Sequence, residues 1–243
     1  MELIYILVGA VWLGAGLIQG LTGFGSALVA VPLLSLFLDL KLVVPLSTLH
    51  GVTITLFLSW QLRRSLCLNK IGPLLLGSVP GVIFGVTLLK YADPLIMKLM
   101  LGVLVTGYAV YALLARPALE SKLRPLWAYV AGFATGAIAS AFSAGGPPTI
   151  IYTTLAGWSK DTIKATLSGF FLCAGLLASG AHLMAGLTTY TVVKYYAASL
   201  PFVLFGVWLG SRFYQRINHQ LYMRAVFGCL AVMGMLLTFS ALR

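Results

Sequence analysis

The sequence predicts an all-α polytopic membrane protein built from two pseudo-symmetric repeats. The 243 residues are 60% hydrophobic and only 9% charged, whereas a soluble domain carries about 25% charged residues. Charge-free apolar runs recur along the whole chain, and a membrane helix needs about 20 such residues. The first run of each half is too long for a single crossing, which gives the two halves the same layout.

Eight apolar runs define the elements. They are Leu3–Leu38, Leu42–Leu62, Ile71–Leu89, Pro94–Ala115, Leu126–Gly157, Ala165–Leu187, Tyr195–Gly210 and Leu221–Leu242. As one helix, the first run would be about 54 Å long, nearly twice the thickness of the hydrocarbon core. The fifth run is likewise too long, and the others fit one crossing each. We therefore predict a single membrane domain with repeat one at 1–115, repeat two at 126–243 and a connecting loop at 116–125.

The two long runs carry the motifs that explain their length. Gln19–Pro32 reads QGLTGFGSALVAVP, and Ala134–Pro148 reads ATGAIASAFSAGGPP. Glycine and proline interrupt a helix, and the freed backbone groups cannot face lipid, so each broken helix must line a protein cavity. Each repeat is then a broken or re-entrant helix pair followed by three transmembrane helices, with 8 to 10 passes in all. Two such breaks in matching halves predict the midplane binding site of a secondary transporter.

Loop charge favours halves that are inverted relative to each other. If each long run is one crossing, the sixteen basic residues divide eight against eight between the two sides. If each long run crosses and returns, they divide eleven against five, which obeys the positive-inside rule. Five passes in each half also invert one repeat relative to the other. We expect both termini on the periplasmic side and the 116–125 loop in the cytoplasm.

The motif residues suit an oxyanion. Backbone N–H groups at the start of a half-helix donate to an anion, and the helix dipole favours it. Glycines allow a close approach, prolines interrupt helical bonding, and hydroxyls add donors. From the motifs and the helix after each, the candidates are Gln19, Thr22, Gly23, Gly25, Ser26, Pro32, Ser47, Thr48, His50, Ser143, Gly145, Gly146, Pro147, Pro148, Thr149 and Ser168. The simpler alternative is that small residues and prolines only allow close packing and kinks.

Several candidates keep two interpretations. Gln19 either donates to substrate or bonds another helix. Ser47 and Thr48, with Thr166 and Ser168 at equivalent places in the second half, either face the cavity or bond their own helix carbonyls. His50 lies inside an apolar helix, where it either couples proton movement to transport or donates to a carbonyl as a neutral ring. His182 is expected near the membrane interface.

The remaining composition excludes other classes of function. The acids Asp39, Asp93, Glu120 and Asp161 all lie at segment ends, which favours an anionic substrate over a cationic one. We expect no cofactor and no metal site. The net charge of +11 comes from scattered loop residues, so nucleic acid is not an expected partner. The chain has no phosphate-binding loop motif for ATP.

The two motifs resemble the signatures of the TauE/SafE sulfite exporter family. The strings are GLTGFGSALVAVPLLSLFL near the start and FSAGGPPTIIYTTLAGWSKDTIKATLSGFF in the second half. Proteins similar to these are linked to export or uptake of sulfite, sulfoacetate and other organosulfur anions. One departure is Phe24, which stands where the family often has a glycine run. The resemblance therefore adds Phe24 to the substrate-binding candidates, as a side chain that narrows or reshapes that half of the site.

The sequence thus predicts a secondary transporter, not an enzyme, in the bacterial inner membrane. Its substrate would be sulfite or an organosulfur anion, bound between the two broken helices and moved by alternating access coupled to an ion gradient. An anion channel with the same site is the alternative. A remote alternative is an intramembrane hydrolase that uses Ser143 and His182. The expected partners are the small anion and membrane lipid, and a homodimer stays open.

Overall fold

The computed structural model describes residues 2–22, 25–61, 68–114, 124–156, 158, 160–213 and 219–241. Within these ranges the regular structure is entirely α-helical. The helices are α1 (Glu2–Thr22), α2 (Ser26–Leu34), α3 (Leu40–Gln61), α4 (Leu68–Tyr91), α5 (Pro94–Leu114), α6 (Leu126–Phe142), α7 (Gly146–Leu155), α8 (Lys160–Met184), α9 (Tyr190–Phe213) and α10 (His219–Ala241). The described part contains six helices long and apolar enough to span a membrane. The prediction of an all-α polytopic membrane protein is confirmed.

Each half begins with a long helix and a short one, followed by three longer helices. The short helices are α2, with 9 residues, and α7, with 10 residues. At 1.5 Å per residue they are about 14–15 Å long, about half the thickness of the hydrocarbon core. This order matches the predicted layout of a broken pair followed by three helices.

The helices form two compact units, and each unit draws helices from both halves of the sequence. One unit contains Met1–Val43, Ala92–Arg116 and Tyr190–Arg243, and therefore α1, α2, α5, α9 and α10. The other contains Val44–Tyr91 and Pro117–Thr189, and therefore most of α3 together with α4, α6, α7 and α8. The sequence halves and the compact units divide the chain differently, and the repeat bounds stay a prediction from the sequence.

In the first unit, α1 packs along α9 through glycines on both helices. A Cβ added at Gly16 or Gly20 would lie within 3.0 Å of backbone atoms of α9. A Cβ added at Gly206 or Gly210 would lie equally close to the backbone of α1. Small residues four apart let two helix backbones touch, which is the main source of helix association in membranes. The glycines therefore hold the broken helix α1 against α9.

In the second unit, α6 packs along α4 in the same way. The contact is lined by small residues at four-residue spacing on both helices: Gly77, Gly81 and Gly85 on α4, and Gly132 and Gly136 on α6. A Cβ at any of them would lie within 3.0 Å of the partner backbone. Ser140 continues this row, and its hydroxyl donates to the Val82 carbonyl at 3.1 Å. Each broken helix is thus fixed to a long helix from the other half of the sequence.

Contacts along these pairs give the helix directions. Gly16 faces Val203 and Gly20 faces Val207, so α1 and α9 run parallel. The helices α5 and α10 run antiparallel. Gly102 faces Thr238, whereas the ring of Tyr108 meets the edge of the Phe227 ring at a centroid distance of 5.7 Å.

The helices α6 and α8 run in the same direction. Near the start of α6, Ala131 belongs to a buried cluster with Phe170 in the first half of α8. Near the end of α6, the Ser140 carbonyl bonds His182 in the last turn of α8, 2.8 Å away. Since only a break and α7 lie between the two helices, the chain reverses its direction there.

The glycine contacts predict matched effects of two substitutions on one helix. Gly20→Ala places a methyl group against the backbone of α9, so the free energy of unfolding should fall by roughly 1–3 kcal/mol. Gly14→Ala is the control, because a Cβ at Gly14 meets nothing within 4 Å. Thermal unfolding of the detergent-solubilised variants measures both effects. Equal melting temperatures for the two variants would contradict the packing described here.

Candidate functional site

The first break lies between α1 and α2, and the Gln19 side chain forms a hydrogen bond across it. Gly25 precedes α2 in a left-handed conformation, with φ of 97°. The Ser26 N–H at the start of α2 donates to the Gln19 side-chain oxygen at 3.3 Å, and Gln19 is buried. Of the two interpretations of Gln19, the structure shows the bond between helices for this oxygen. Gly23, Phe24 and the side chain of Thr22 lie outside the described residues.

Pro32 lies inside α2, two residues before its last residue. Its nitrogen carries no hydrogen, so it cannot donate to the Leu28 carbonyl as a helical residue would. The helix ends soon after, at Leu34. The Ser35 hydroxyl then donates to the Pro32 carbonyl at 2.9 Å. Pro32 thus removes one helical bond within α2 and is itself buried, in the second half of the helix rather than at its start.

The second break lies at residues 143–145, between α6 and α7. Ser143 adopts a left-handed conformation with φ of 55°, unlike any other described residue except glycine. Its N–H donates to the Ala139 carbonyl at 2.7 Å, which ends the helical bonding of α6. The chain then passes through Gly145 into α7, which begins at Gly146.

Pro147 and Pro148 begin α7 rather than interrupt it. They are its second and third residues, where a backbone N–H has no partner within the helix. Their effect is to remove two of the four free N–H groups of the first turn. The Thr149 N–H is the first to bond within the helix, to the carbonyl of the preceding Gly145, so the Gly146 N–H remains as a donor at this helix start.

Three glycines at the breaks are needed for different reasons. A Cβ at Gly145 would lie 2.6 Å from both the Thr135 carbonyl oxygen and the Ala139 side chain, so packing against α6 requires glycine. Gly25 has open space around it, and its left-handed backbone is what favours glycine. A Cβ at Gly146 would meet only the end of the Ile150 side chain at 3.6 Å, an ordinary contact. Neither packing nor conformation explains glycine at 146.

Near the second break, two candidate hydroxyls have hydrogen-bond partners, those of Thr149 and Thr48. Thr149 is fully buried, and its hydroxyl bonds that of Thr135, which ties α7 to α6. The Thr48 hydroxyl on α3 donates to the Val44 carbonyl of its own helix at 2.9 Å. It also lies 3.5 Å from the Ser143 hydroxyl. The helix α3 thus brings Thr48 beside Ser143 while the Thr48 hydroxyl bonds its own helix, and its role in a site stays a prediction.

Two of the candidate or equivalent hydroxyls in this unit are among those with no hydrogen-bond partner. They belong to Ser47 on α3 and Thr166 on α8, and both residues are fully buried. Buried polar groups in proteins almost always have a partner, so each such hydroxyl needs an explanation. Ser168, also predicted for the site, is buried on α8 as well. The hydroxyls of Ser47 and Thr166 are therefore donors available to a bound group.

The two intramembrane histidines are both fully buried. His50 lies in the middle of α3. His182, which the sequence placed near the interface, is enclosed in the last turn of α8 and bonds the Ser140 carbonyl through Nε2 at 2.8 Å. Its other nitrogen, Nδ1, has no partner. Neither nitrogen bonds the Ser143 hydroxyl, so the geometry provides no Ser–His pair for a hydrolase.

The described acids do not reach the breaks. Asp39 accepts the Lys41 N–H at 2.8 Å, and Asp93 accepts the Leu95 N–H at 2.7 Å. Both carboxylates therefore cap the start of a helix, α3 and α5 respectively. Across the described ranges, no three acidic, histidine or cysteine side chains come together as metal ligands would.

Some contacts at the site were not predicted from the sequence. These are the glycine rows, the bond between Thr135 and Thr149, and the bond from His182 to Ser140. The glycine rows have a visible signal, because glycines four residues apart recur in four of the apolar runs. The two polar bonds have no such signal, since they depend on which helices pack together.

Comparison with known proteins gives one family. A profile described as "Sulfite exporter TauE/SafE" matches residues 8–237, nearly the whole chain. No curated protein and no solved structure gives a significant match. The profile covers both breaks and all ten described helices in whole or in part. The resemblance seen in the two motifs is therefore confirmed, and this chain belongs to the TauE/SafE sulfite exporter family.

Proposed function

We propose that this protein is a secondary transporter, not an enzyme, for a small anion in the bacterial inner membrane. The substrate class is sulfite or an organosulfur anion such as a sulfonate. The observation that carries the proposal is the pair of short helices, α2 and α7, each of which begins at a break inside an apolar segment. Such helix starts are the usual anion sites of transporters with broken helices.

The chemistry of the second break supports an anion. The start of α7 offers the Gly146 N–H and the positive end of a helix dipole. The Ser143 hydroxyl lies beside it, 3.5 Å from the hydroxyl of Thr48. All of these donors are neutral, and a site without a fixed opposite charge binds an anion without making release slow. Gly146 fits this role, because neither packing nor backbone conformation accounts for its missing side chain.

The helix directions support inverted halves. Because α6 and α8 run in the same direction, α7 returns through part of the membrane between them. In the first unit, α1 is parallel to α9 while α5 is antiparallel to α10. These directions fit five passes in each half and do not fit four. An odd number inverts one half relative to the other, which is the symmetry that alternating access commonly uses. We propose that an ion gradient, with protons as the first candidate, drives the cycle.

Counterflow in proteoliposomes tests the transport proposal. Vesicles that contain the purified protein are loaded with one unlabelled anion and then exposed to the labelled form. Sulfite, thiosulfate, sulfate, taurine, sulfoacetate and acetate form the panel. We expect saturable counterflow for at least one sulfur compound and none for acetate. Flux that never saturates would indicate a channel, and no flux for any compound would contradict the proposal.

Substitutions at neighbouring glycines test the binding position. Gly146→Ala adds a methyl group that packing tolerates, so folding should be preserved while KM for the transported anion rises about tenfold. Gly145→Ala is the matched packing variant, because its methyl group meets α6. It should lower the free energy of unfolding by roughly 1–3 kcal/mol. Wild-type KM in a stable Gly146→Ala protein would show that the anion is not held at this helix start.

A further inference from the structure

His182 lies at the end of α8 and bonds the backbone of another helix. The residue is fully buried, and its Nε2 lies 2.8 Å from the Ser140 carbonyl oxygen. A carbonyl can only accept, so Nε2 carries the proton and donates it. Nδ1 has no hydrogen-bond partner. The ring therefore makes one bond, and that bond leads to α6.

The second break leaves the Ser140 carbonyl without an N–H donor from its own helix. In a continuing helix it would accept the N–H of residue 144. The chain leaves the helix at Ser143, and the helical bonding ends with the Ser143 N–H on the Ala139 carbonyl. The next carbonyl in the chain is that of Ser140. A free carbonyl at membrane depth is costly because lipid offers no donor, and the His182 imidazole supplies one.

We infer that His182 is a positioning residue for substrate, because it fixes the end of α6 from which the second break starts. This inference rests on the proposed transport function. The Ser140 hydroxyl already donates to the Gly136 carbonyl of α6 at 2.7 Å and to the Val82 carbonyl of α4 at 3.1 Å. The bond from His182 joins α8 to the same residue, Ser140. One serine thus joins three helices immediately before Ser143 and Gly145.

The first break has a tether of the opposite polarity. There the leftover backbone group is the Ser26 N–H, and the Gln19 side-chain oxygen accepts it at 3.3 Å. In the second break a carbonyl at the end of α6 is left over, and His182 donates to it. Each buried side chain thus satisfies one backbone group that its break leaves over. This match distinguishes His182 from a histidine that merely fills space in the core.

Two neutral variants separate the hydrogen bond from the bulk of the side chain. The amide nitrogen of glutamine reaches the position of imidazole Nε2, whereas that of asparagine reaches only the position of Nδ1. His182→Gln should therefore keep the bond to Ser140, and His182→Asn should lose it. Met184→Asn is the control in the same turn, since Met184 is 90% exposed.

Amide hydrogen exchange and transport kinetics are the two measurements. In His182→Asn, exchange should accelerate at residues 143–146 but not at residues 25–29 of the first break. KM in counterflow should rise about tenfold, as expected when a buried carbonyl loses its donor. His182→Gln and Met184→Asn should resemble the wild type in both measurements.

The outcomes keep this inference apart from the transport proposal. If the wild type transports none of the anions, the transport proposal fails, and with it the positioning of a substrate. If exchange in His182→Asn matches the wild type, the tether is overturned whatever the transport result. If exchange accelerates but KM does not change, His182 holds the break without positioning the substrate, and the inference is overturned. Failure of His182→Gln to restore both readouts would also contradict it.

Discussion

The fold depends on how a membrane protein can hold a helix that stops inside the apolar layer. A break leaves backbone groups that lipid cannot satisfy, so each broken helix must be enclosed and fixed by other helices. The glycine-lined contacts of α1 with α9 and of α6 with α4 provide this, because backbone meets backbone along both pairs. Each pair joins helices from different halves of the sequence. The breaks are therefore held by elements far away in the chain.

Polar tethers complete what the glycine contacts begin. The Gln19 oxygen caps the start of α2, Thr149 ties α7 to Thr135 on α6, and His182 caps the end of α6. The bonds of Gln19 and His182 use backbone groups that the breaks leave over, and the bond of Thr149 ties the short helix α7 to α6. The Gly146 N–H at the second break takes part in none of these tethers, and in the same unit the buried hydroxyls of Ser47 and Thr166 have no partner. An anion accepts hydrogen bonds, so it is the ligand that matches these donors.

The sequence was most informative where physical constraints act locally. Length and hydropathy predicted the membrane class, and the excess length of Leu3–Leu38 and Leu126–Gly157 predicted both broken pairs. The roles of single residues were harder to predict. Gly145 and Gly146 are neighbours, yet only Gly145 is required by packing. Pro147 and Pro148 suggested an interruption, but they lie in the first turn of α7 and begin it. The bond from His182 to Ser140 depends on α8 running beside α6, which no local pattern reveals.

The central claim is that the helix start at each break, that of α2 in one unit and that of α7 in the other, binds an anion through backbone N–H groups. Amide hydrogen exchange with increasing concentrations of sulfite tests it most directly. The account predicts that exchange slows at residues 25–29 and at residues 144–146 as the sulfite concentration rises. The start of α5, which Asp93 already caps, should not respond. Sulfite counterflow that saturates while exchange at both helix starts stays unchanged would contradict the account.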